Sequence, residues 1–355
     1  YARTYKVLNA KDYIVMKLTG RFCTDYSDAN SMACFDINQL KWSEELISLA
    51  GIDPDKLPDA KPSTHVVGGV LPSAAEATGL AVGTPVVMGG GDGVIANVGA
   101  GSIMPGRTYC CLGTSAWITT TTEKPIYDEQ MRTVTWAHAI PGMYAPNGTM
   151  QTAGAAFSWM KNTICTKESE DAKRSGTSPY KLIDLEIEKS PPGSNGIIFL
   201  PYLMGERAPR WNTDAKGAFL GLRMETARSD ILRSVLEGIT LNLNIVLDIL
   251  RERVAIDNIV AIGGGAKGKI WCKIMADIFN VPISVPALLE EAGSMGAAVT
   301  GGVGVGLFKD FTAIDRFLKI QYVQEPDPAA VMKYDSIKPT FDQCYSALQT
   351  VFKLL

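Results

Sequence analysis

The chain has 355 residues, 46% of them hydrophobic and 20% charged, with a net charge of -3 at pH 7 and a pI near 5.6. This is the composition of an ordinary globular protein, long enough for two domains at roughly 100–200 residues each. The balance gives no reason to expect nucleic acid or an anionic membrane surface as partner, and no stretch reaches the ~18 apolar residues of a membrane span. Seven cysteines, without a Cys-x-x-Cys pair, read as buried thiols in a reducing, cytoplasmic compartment and not as a disulfide frame or zinc site. His65 and His138 lack metal-ligand spacing and read as structural. The opening at Tyr1, without methionine or signal peptide, reads as a chain lacking its natural beginning.

In chain order, Tyr13, Ile14, Met16 and Leu18 with Gly20 behind them predict a helix over 11–19, and 42–50 repeats the pattern before Gly51. Residues 56–72 read as loop, with prolines at Pro58, Pro62 and Pro72. A buried strand is predicted over 84–88 and a helix beginning at 94–99. From Thr108 the text becomes strand-like: 109–112 and 117–121 flank a tight turn, Gly113-Thr114-Ser115. The change places a domain boundary near 100–107, dividing the chain into 1–103 and 104–355. Residues 153–162 read as helix, 167–178 as a charged surface loop or fraying helix end, and 197–200 as strand. The strongest helical period runs over 230–253, through Leu232, Leu236, Ile239, Leu243 and Leu250. A strand over 258–262, a glycine loop at 263–266, a helix over 270–279, a strand over 282–285 and a glycine- and alanine-rich helix over 293–306 follow. The small side chains of that last helix allow close packing against a neighbour.

The most informative residue is Asp92, at the end of the apolar strand and inside Gly89-Gly90-Gly91-Asp92-Gly93. A carboxylate at the carboxyl end of a strand, on backbone free of side chains, can be approached closely by another molecule. The competing reading is a cap for the helix near Val94. Three strand–glycine–helix junctions, at 89–93, 113–115 and 263–265, present backbone N–H groups suited to phosphate oxygens. The third nearly has P-loop spacing through Gly268-Lys269, but Ile270 stands where Ser or Thr would hold magnesium. The dinucleotide pattern fails at Ala96, with no acid placed to read a ribose. Transfer of phosphate to a sugar hydroxyl needs a carboxylate base, backbone donors for the phosphates of ATP, and an apolar slot beside glycines for adenosine. Asp92, Gly113-Thr114 and Gly264-Gly265-Ala266 can fill those roles in that order.

Longer motifs add a resemblance. The run Phe199-Leu-Pro-Tyr-Leu-Met-Gly-Glu-Arg-Ala-Pro209, then Gly217-Ala-Phe-Leu-Gly-Leu222, resembles the FGGY carbohydrate kinases, and 217–237 matches that family's C-terminal signature, including Asp230-Ile231 and Ser234-Val235-Leu236-Glu237. Lys11-Asp-Tyr-Ile14, Leu18-Thr-Gly20 and Thr24-Asp-Tyr-Ser27 resemble the last part of the family's N-terminal domain. Glu290-Glu-Ala-Gly293 and Met295-Gly-Ala-Ala298 resemble its closing segment. The likeness covers nearly the whole chain. Within the family, Gly89-Gly-Gly-Asp92, Leu112-Gly-Thr-Ser115 and Ile262-Gly-Gly-Gly-Ala266 with Trp271 are most similar to the xylulokinase branch.

The resemblance implies an α/β, actin-like ATPase fold of two ribonuclease-H-like domains, the first incomplete, with substrate in the cleft between them. Residues 1–103 would be the end of the sugar-binding domain and 104–355 the nucleotide-binding domain. Asp92 becomes the general base, with Gly93 beside it at the sugar. Gly113 and Thr114 fall at a phosphate motif, Gly154 and Ser158 flank the nucleotide, and Gly264, Gly265 and Ala266 match the adenosine motif. ATP and Mg2+ are the implied cofactors, with no protein residue assigned to the metal, and a homodimer is left open. Three departures stand out: Gly93 where xylulokinases often carry Asn, Lys267-Gly268 in place of Arg-Ser, and an N-terminal hairpin and first family signature that would precede Tyr1. The expected reaction is phosphorylation of D-xylulose to xylulose 5-phosphate. Gluconate or another polyol is the alternative acceptor, and a non-catalytic fragment the alternative class. Glu206-Arg207 reads as a structural ion pair near the cleft, and Trp159, Trp211 and Trp271 as core or slot walls.

Overall fold

Apolar runs in the first hundred residues are short and broken by glycine and proline, and the elements they form are correspondingly short. In the computed structural model, which describes residues 1–355, these are α1 (Ala10–Thr19), β1 (Cys23–Asp25), α2 (Tyr26–Ser31), β2 (Phe35–Asp36), β3 (Lys41–Trp42), α3 (Glu44–Leu49), β4 (Asp59–Lys61), β5 (Val66–Gly69), α4 (Pro72–Thr78), β6 (Pro85–Val87) and α5 (Asp92–Gly99). The strands pair only two by two: β1 parallel to β4, β2 antiparallel to β3, and β5 antiparallel to β6. Local chemistry sets the ends. Gly20 closes α1 with a left-handed φ of 72°, and the Asp25 carboxylate accepts from Ser27 N at the start of α2. The expected loop over 56–72 contains β4 and β5. The strand expected to be buried is only half-buried, because β5 alone pairs with it.

The remainder is built on one mixed sheet. Its elements are β7 (Thr108–Leu112), β8 (Ala116–Thr120), β9 (Val134–Ala137), β10 (Tyr144–Met150), α6 (Gly154–Thr163), α7 (Thr166–Ser175), α8 (Pro179–Ile187), β11 (Ile198–Leu200), β12 (Ala218–Leu220), α9 (Arg228–Arg251), β13 (Ile259–Ile262), α10 (Lys269–Phe279), β14 (Ile283–Pro286), α11 (Ala292–Gly304), β15 (Ile320–Gln324) and α12 (Pro328–Phe352). The seven strands lie in the order β15-β14-β13-β7-β8-β10-β9. An antiparallel meander of β7, β8 and β10 is extended by β13 and β14, both running parallel to β7. That is the ribonuclease-H-like order expected for an actin-like ATPase half.

Helix α9 is buried almost all round, beyond what an amphipathic stripe would give. The sheet covers one side, while β11 and the 25-residue α12, which periodicity did not reveal, cover the other. The signature acids on α9 serve this packing. Glu237 accepts from Arg233 Nε at 2.7 Å, Tyr334 Oη at 2.6 Å, Gly193 N at 3.0 Å and Ser194 Oγ at 2.7 Å. Asp230 accepts from Ser190 Oγ at 2.6 Å and Asn195 Nδ2 at 3.0 Å. A buried carboxylate satisfied this fully cross-links a helix to a loop at little desolvation cost. The charged segment after Cys165 is a regular helix, α7, held to α9 by Arg228 and Glu168 at 2.8 Å.

The glycine-rich α11 crosses α5 with backbones in contact. A Cβ on Gly99 would fall 1.7 Å from Ala292 O, and one on Gly296 would fall 2.0 Å from Ile95 O. The expected close packing of small residues is therefore directed at the helix that begins with Asp92. All seven cysteines are free thiols. No helix is long and apolar enough to cross a membrane.

Candidate active site

Strand β6 ends at Val87, a glycine run carries the chain across the strand ends, and α5 starts at Asp92 with Gly91 as its N-cap. Asp92 is thus the first helical residue and not the cap. Its Oδ1 accepts from Gly93 N at 2.7 Å and the carboxylate is exposed, a favourable place for negative charge at a helix N-terminus. The glycines are small for identifiable reasons. A Cβ on Gly90 would stand 3.4 Å from Asp25 Oδ2, and one on Gly91 would stand 3.1 Å from Asp28 Oδ1. Gly91 N donates to Ser27 Oγ at 2.9 Å, and Ser27 Oγ donates to Asp25 Oδ2 at 2.5 Å. The shelf is therefore fastened to the β1–α2 junction.

Lys11 centres a cluster of acids, with Nζ 2.7 Å from Asp12, 3.1 Å from Asp25 and 3.4 Å from Asp28. One ammonium cannot balance three carboxylates. Burial and the Asp25 charge push Asp28 up to about 6, with Lys11 opposing them. On its other side α5 is tied to the large sheet: Tyr109 Oη donates to Gly93 O at 2.9 Å and accepts from Trp117 Nε1 at 2.8 Å. The α-carbon of Gly93 faces open space.

In front of Asp92 lies a cleft of about 320 Å³, whose walls include Gly93, Asp28, Asn97, Trp117 and Arg207. Asn97 is 1% exposed and neither end of its amide has a hydrogen-bond partner. The expected Glu206–Arg207 ion pair does not form. Glu206 Oε1 accepts from Gln151 N at 2.5 Å and Arg207 N at 2.8 Å, and Oε2 accepts from Asn242 Nδ2 at 2.7 Å. Burial pushes Glu206 up to about 7, opposed by these donors. Glu206 therefore grips backbone, which leaves the Arg207 guanidinium exposed on the cleft wall without a carboxylate partner. The neighbouring Arg210 does find one, Asp342 at 2.7 Å.

A second pocket, of about 640 Å³, opens beside the first. Gly113, Thr114, Gly154, Ser158, Gly264 and Gly265 all line it, so the structure gathers six of the seven residues assigned to the nucleotide from sequence. Ala266 lies behind them, 1% exposed, with its carbonyl accepting from Cys272 Sγ at 3.4 Å. The glycines admit close approach of backbone. A Cβ on Gly265 would sit 2.7 Å from Leu112 Cβ and 2.9 Å from Trp271 Cζ3, and one on Gly154 would sit 2.3 Å from Gly113 O. The first N–H groups of α6 are spent on the turn: Gly154 N donates to Gly113 O at 3.0 Å, and Ala153 N and Ala155 N to Thr114 O at 3.1 and 3.0 Å. They hold the turn in shape through its carbonyl oxygens. The turn divides the two spaces: Gly113 and Thr114 line the larger pocket and Ser115 the smaller.

Of the tryptophans singled out in the sequence, Trp271 forms a wall of the larger pocket and donates to Thr240 Oγ1 at 3.2 Å. Trp159 stacks on Phe199 at 6.3 Å, whereas Trp211 is exposed. Sequence reasoning missed Asp28, Asn97, Trp117 and Trp136 on the smaller cleft. Asn97 had a readable signal, an amide inside the otherwise apolar and small run Val94-Ile95-Ala96-Asn97-Val98-Gly99. Trp117 and Trp136 had none, because their side of the sheet depends on pairing register. Groups of three or more histidine, cysteine or acidic side chains able to hold a metal ion are not formed. A glycine-walled pocket with Trp271 in its wall thus meets an acid-bearing cleft at a turn.

Comparison with known proteins gives a consistent result. Residues 1–99 match the FGGY family of carbohydrate kinases, N-terminal domain, and residues 108–305 match its C-terminal domain. The chain is 32% identical over 349 residues to a gluconokinase of Bacillus licheniformis, covering 98% of this chain and 68% of that protein. It is 30% identical over 348 residues to a xylulose kinase of Bacillus subtilis, covering 98% and 68%. Among solved structures, a ligand-bound xylulose kinase from Lactobacillus acidophilus superposes with a TM-score of 0.90 at 27% identity, over 98% of this chain and 69% of that one. A gluconate kinase from the same organism superposes with a TM-score of 0.89 at 28% identity, over 97% and 68%.

Proposed function

The chain belongs to the FGGY family of carbohydrate kinases, and from that premise we propose that it transfers the γ-phosphoryl group of ATP to a hydroxyl of xylulose, giving xylulose 5-phosphate. The observation that carries this reading is the shared turn: Ser115 lines the cleft with Asp92, while Gly113 and Thr114 line the glycine-walled pocket. Acceptor bound in the first and nucleotide in the second would meet at that turn. Residues 1–103 then supply the base and most of the acceptor side, and 104–355 the nucleotide side.

In this mechanism Asp92 accepts the proton of the acceptor hydroxyl as its oxygen attacks the γ-phosphorus and the bond to the ADP oxygen breaks. Asp92 stands at the first turn of α5 with its carboxylate exposed to the cleft, where an acceptor hydroxyl can reach it. Backbone N–H groups of Gly113 and Thr114 stabilise phosphate oxygens, and Gly264 and Gly265 leave room for adenosine against Trp271. A magnesium ion arriving with the nucleotide would supply charge neutralisation to the phosphates, and no side chain of this chain is assigned to hold it.

A second acceptor, gluconate, is favoured by the gluconokinase relatives. A coupled ADP-release assay on the full-length protein with a panel of sugars and sugar acids tests both. Asp92→Asn should lower kcat by about 10²–10⁴ while nucleotide binding stays close to normal. A variant with near-normal kcat removes Asp92 as the base, and absence of turnover with every acceptor removes the kinase reading.

A further inference from the structure

The cleft in front of Asp92 contains two donor-bearing side chains without a protein partner, one from each part of the molecule: Asn97 buried and Arg207 exposed to solvent. Asn97 projects from the second turn of α5, 1% exposed, with both Nδ2 and Oδ1 unpartnered. Arg207 projects from the loop after β11, with its backbone fixed through Glu206 and its guanidinium unpaired. Buried amides are nearly always hydrogen-bonded, because an unmade bond carries the full desolvation cost of the group. An apolar residue would fill the Asn97 position more stably among Val94, Ile95 and Val98, all buried. A guanidinium in a cleft with two acids, pairing with neither, is a charge placed for an incoming anion.

We infer that Asn97 and Arg207 are acceptor-site residues that set specificity: the Asn97 amide pairs with acceptor hydroxyls, and Arg207 takes an oxyanion. The inference rests on the kinase reading of the cleft. That oxyanion has two chemical sources, the carboxylate of a sugar acid or the phosphoryl group in transfer, and both are bound by the same fork of N–H donors. Asn97 can supply what a polyol needs, a donor and an acceptor on one planar group. It lies on the same helix as the base, so a hydroxyl held by the amide is placed relative to Asp92 by the rigid geometry of α5. Glu206 acts through Arg207 as a positioning residue, since it holds the backbone of Gln151 and Arg207 and the Asn242 amide and does not line the cleft.

The test uses the full-length protein with Asn97→Leu, Asn97→Ala and Arg207→Gln, read by thermal melting, by melting shifts with xylulose or gluconate, and by steady-state kinetics. An acceptor-binding Asn97 gives Asn97→Leu a melting temperature equal to or above wild type, with acceptor KM raised about tenfold and the KM for ATP unchanged. Asn97→Ala repeats the kinetic result should leucine prove too large. A lowered melting temperature with unchanged acceptor KM in both variants marks Asn97 as structural and overturns its assignment. For Arg207→Gln, a fall in kcat of about 10²-fold with every acceptor identifies the phosphoryl group as the anion. A raised KM confined to gluconate identifies the carboxylate. Unchanged kinetics with all acceptors overturns the assignment of Arg207. The melting shifts need no turnover, so a wild-type protein that is stabilised by an acceptor yet forms no ADP separates failure of the kinase reading from failure of the site.

Discussion

The crossing of α5 and α11 offers a sharp test of how the site is positioned. In Gly296→Ala the new Cβ would lie 2.0 Å from Ile95 O, 2.9 Å from Ile95 C and 3.0 Å from Gly99 N. Carbon and oxygen rest at about 3.3 Å, so the two helices must part by about 1.3 Å. All three atoms are backbone, and no rotamer change relieves the contact. Overpacking of this kind costs about 1–3 kcal/mol, against at most ~1 kcal/mol gained by replacing a helical glycine with alanine, so the clash wins. The displacement falls on Ile95, one turn from Asp92, or about 4.5 Å along the axis. A carboxylate moved by ~1 Å from its working position can lose about a hundredfold in rate. Urea unfolding and kcat should therefore fall together in Gly296→Ala. The same helix supplies its own controls: a Cβ on Gly293 or Gly301 meets nothing within 4 Å. Gly293→Ala and Gly301→Ala should be neutral or slightly stabilising and fully active. Three variants with the same unfolding midpoint and wild-type kcat would refute the crossing as the element that positions Asp92.

Asp28 predicts a pH dependence. Its folded pKa of about 6 stands above the ordinary 3.8, so the folded state holds the proton more tightly and stability falls as pH rises from about 4 to about 6. Asp28→Asn should match wild type near pH 4 and exceed it above pH 7, by on the order of 1 kcal/mol after allowance for solvent screening. Parallel urea curves for the two proteins at both pH values would contradict this. In the larger pocket, Gly265→Ala would drive a Cβ to 2.7 Å from Leu112 Cβ and 2.9 Å from Trp271 Cζ3. Calorimetric titration should show nucleotide affinity lowered about tenfold with acceptor binding intact, and equal affinity for nucleotide would exclude the slot as its site.

Much of the fold was legible because its signals are local. The period of α9, the strands on either side of Gly113-Thr114-Ser115 and the glycine loop at 263–266 depend on neighbours within a few residues, and each formed within two residues of its expected place. The same locality misled at β6, whose apolar residues suggested burial that its single partner strand does not provide. It also left α12 unread: Tyr334, Phe341, Tyr345 and Phe352 keep a helical spacing, but Pro339 between them reads locally as a helix breaker.

From the sequence alone came the family, six residues that line one glycine-walled pocket and the acid on the glycine run, because glycine and aspartate at strand ends carry their chemistry in their own backbone and charge. Only the tertiary structure decided what Asp92 faces. It converted the expected Glu206–Arg207 pair into a backbone clamp and a free guanidinium, and set Asn97 unpartnered in the same cleft. Whether a polar group is satisfied depends on atoms brought from 36 or 55 positions away in the chain, as for Asn242 and Gln151 on Glu206, and no local pattern encodes that distance.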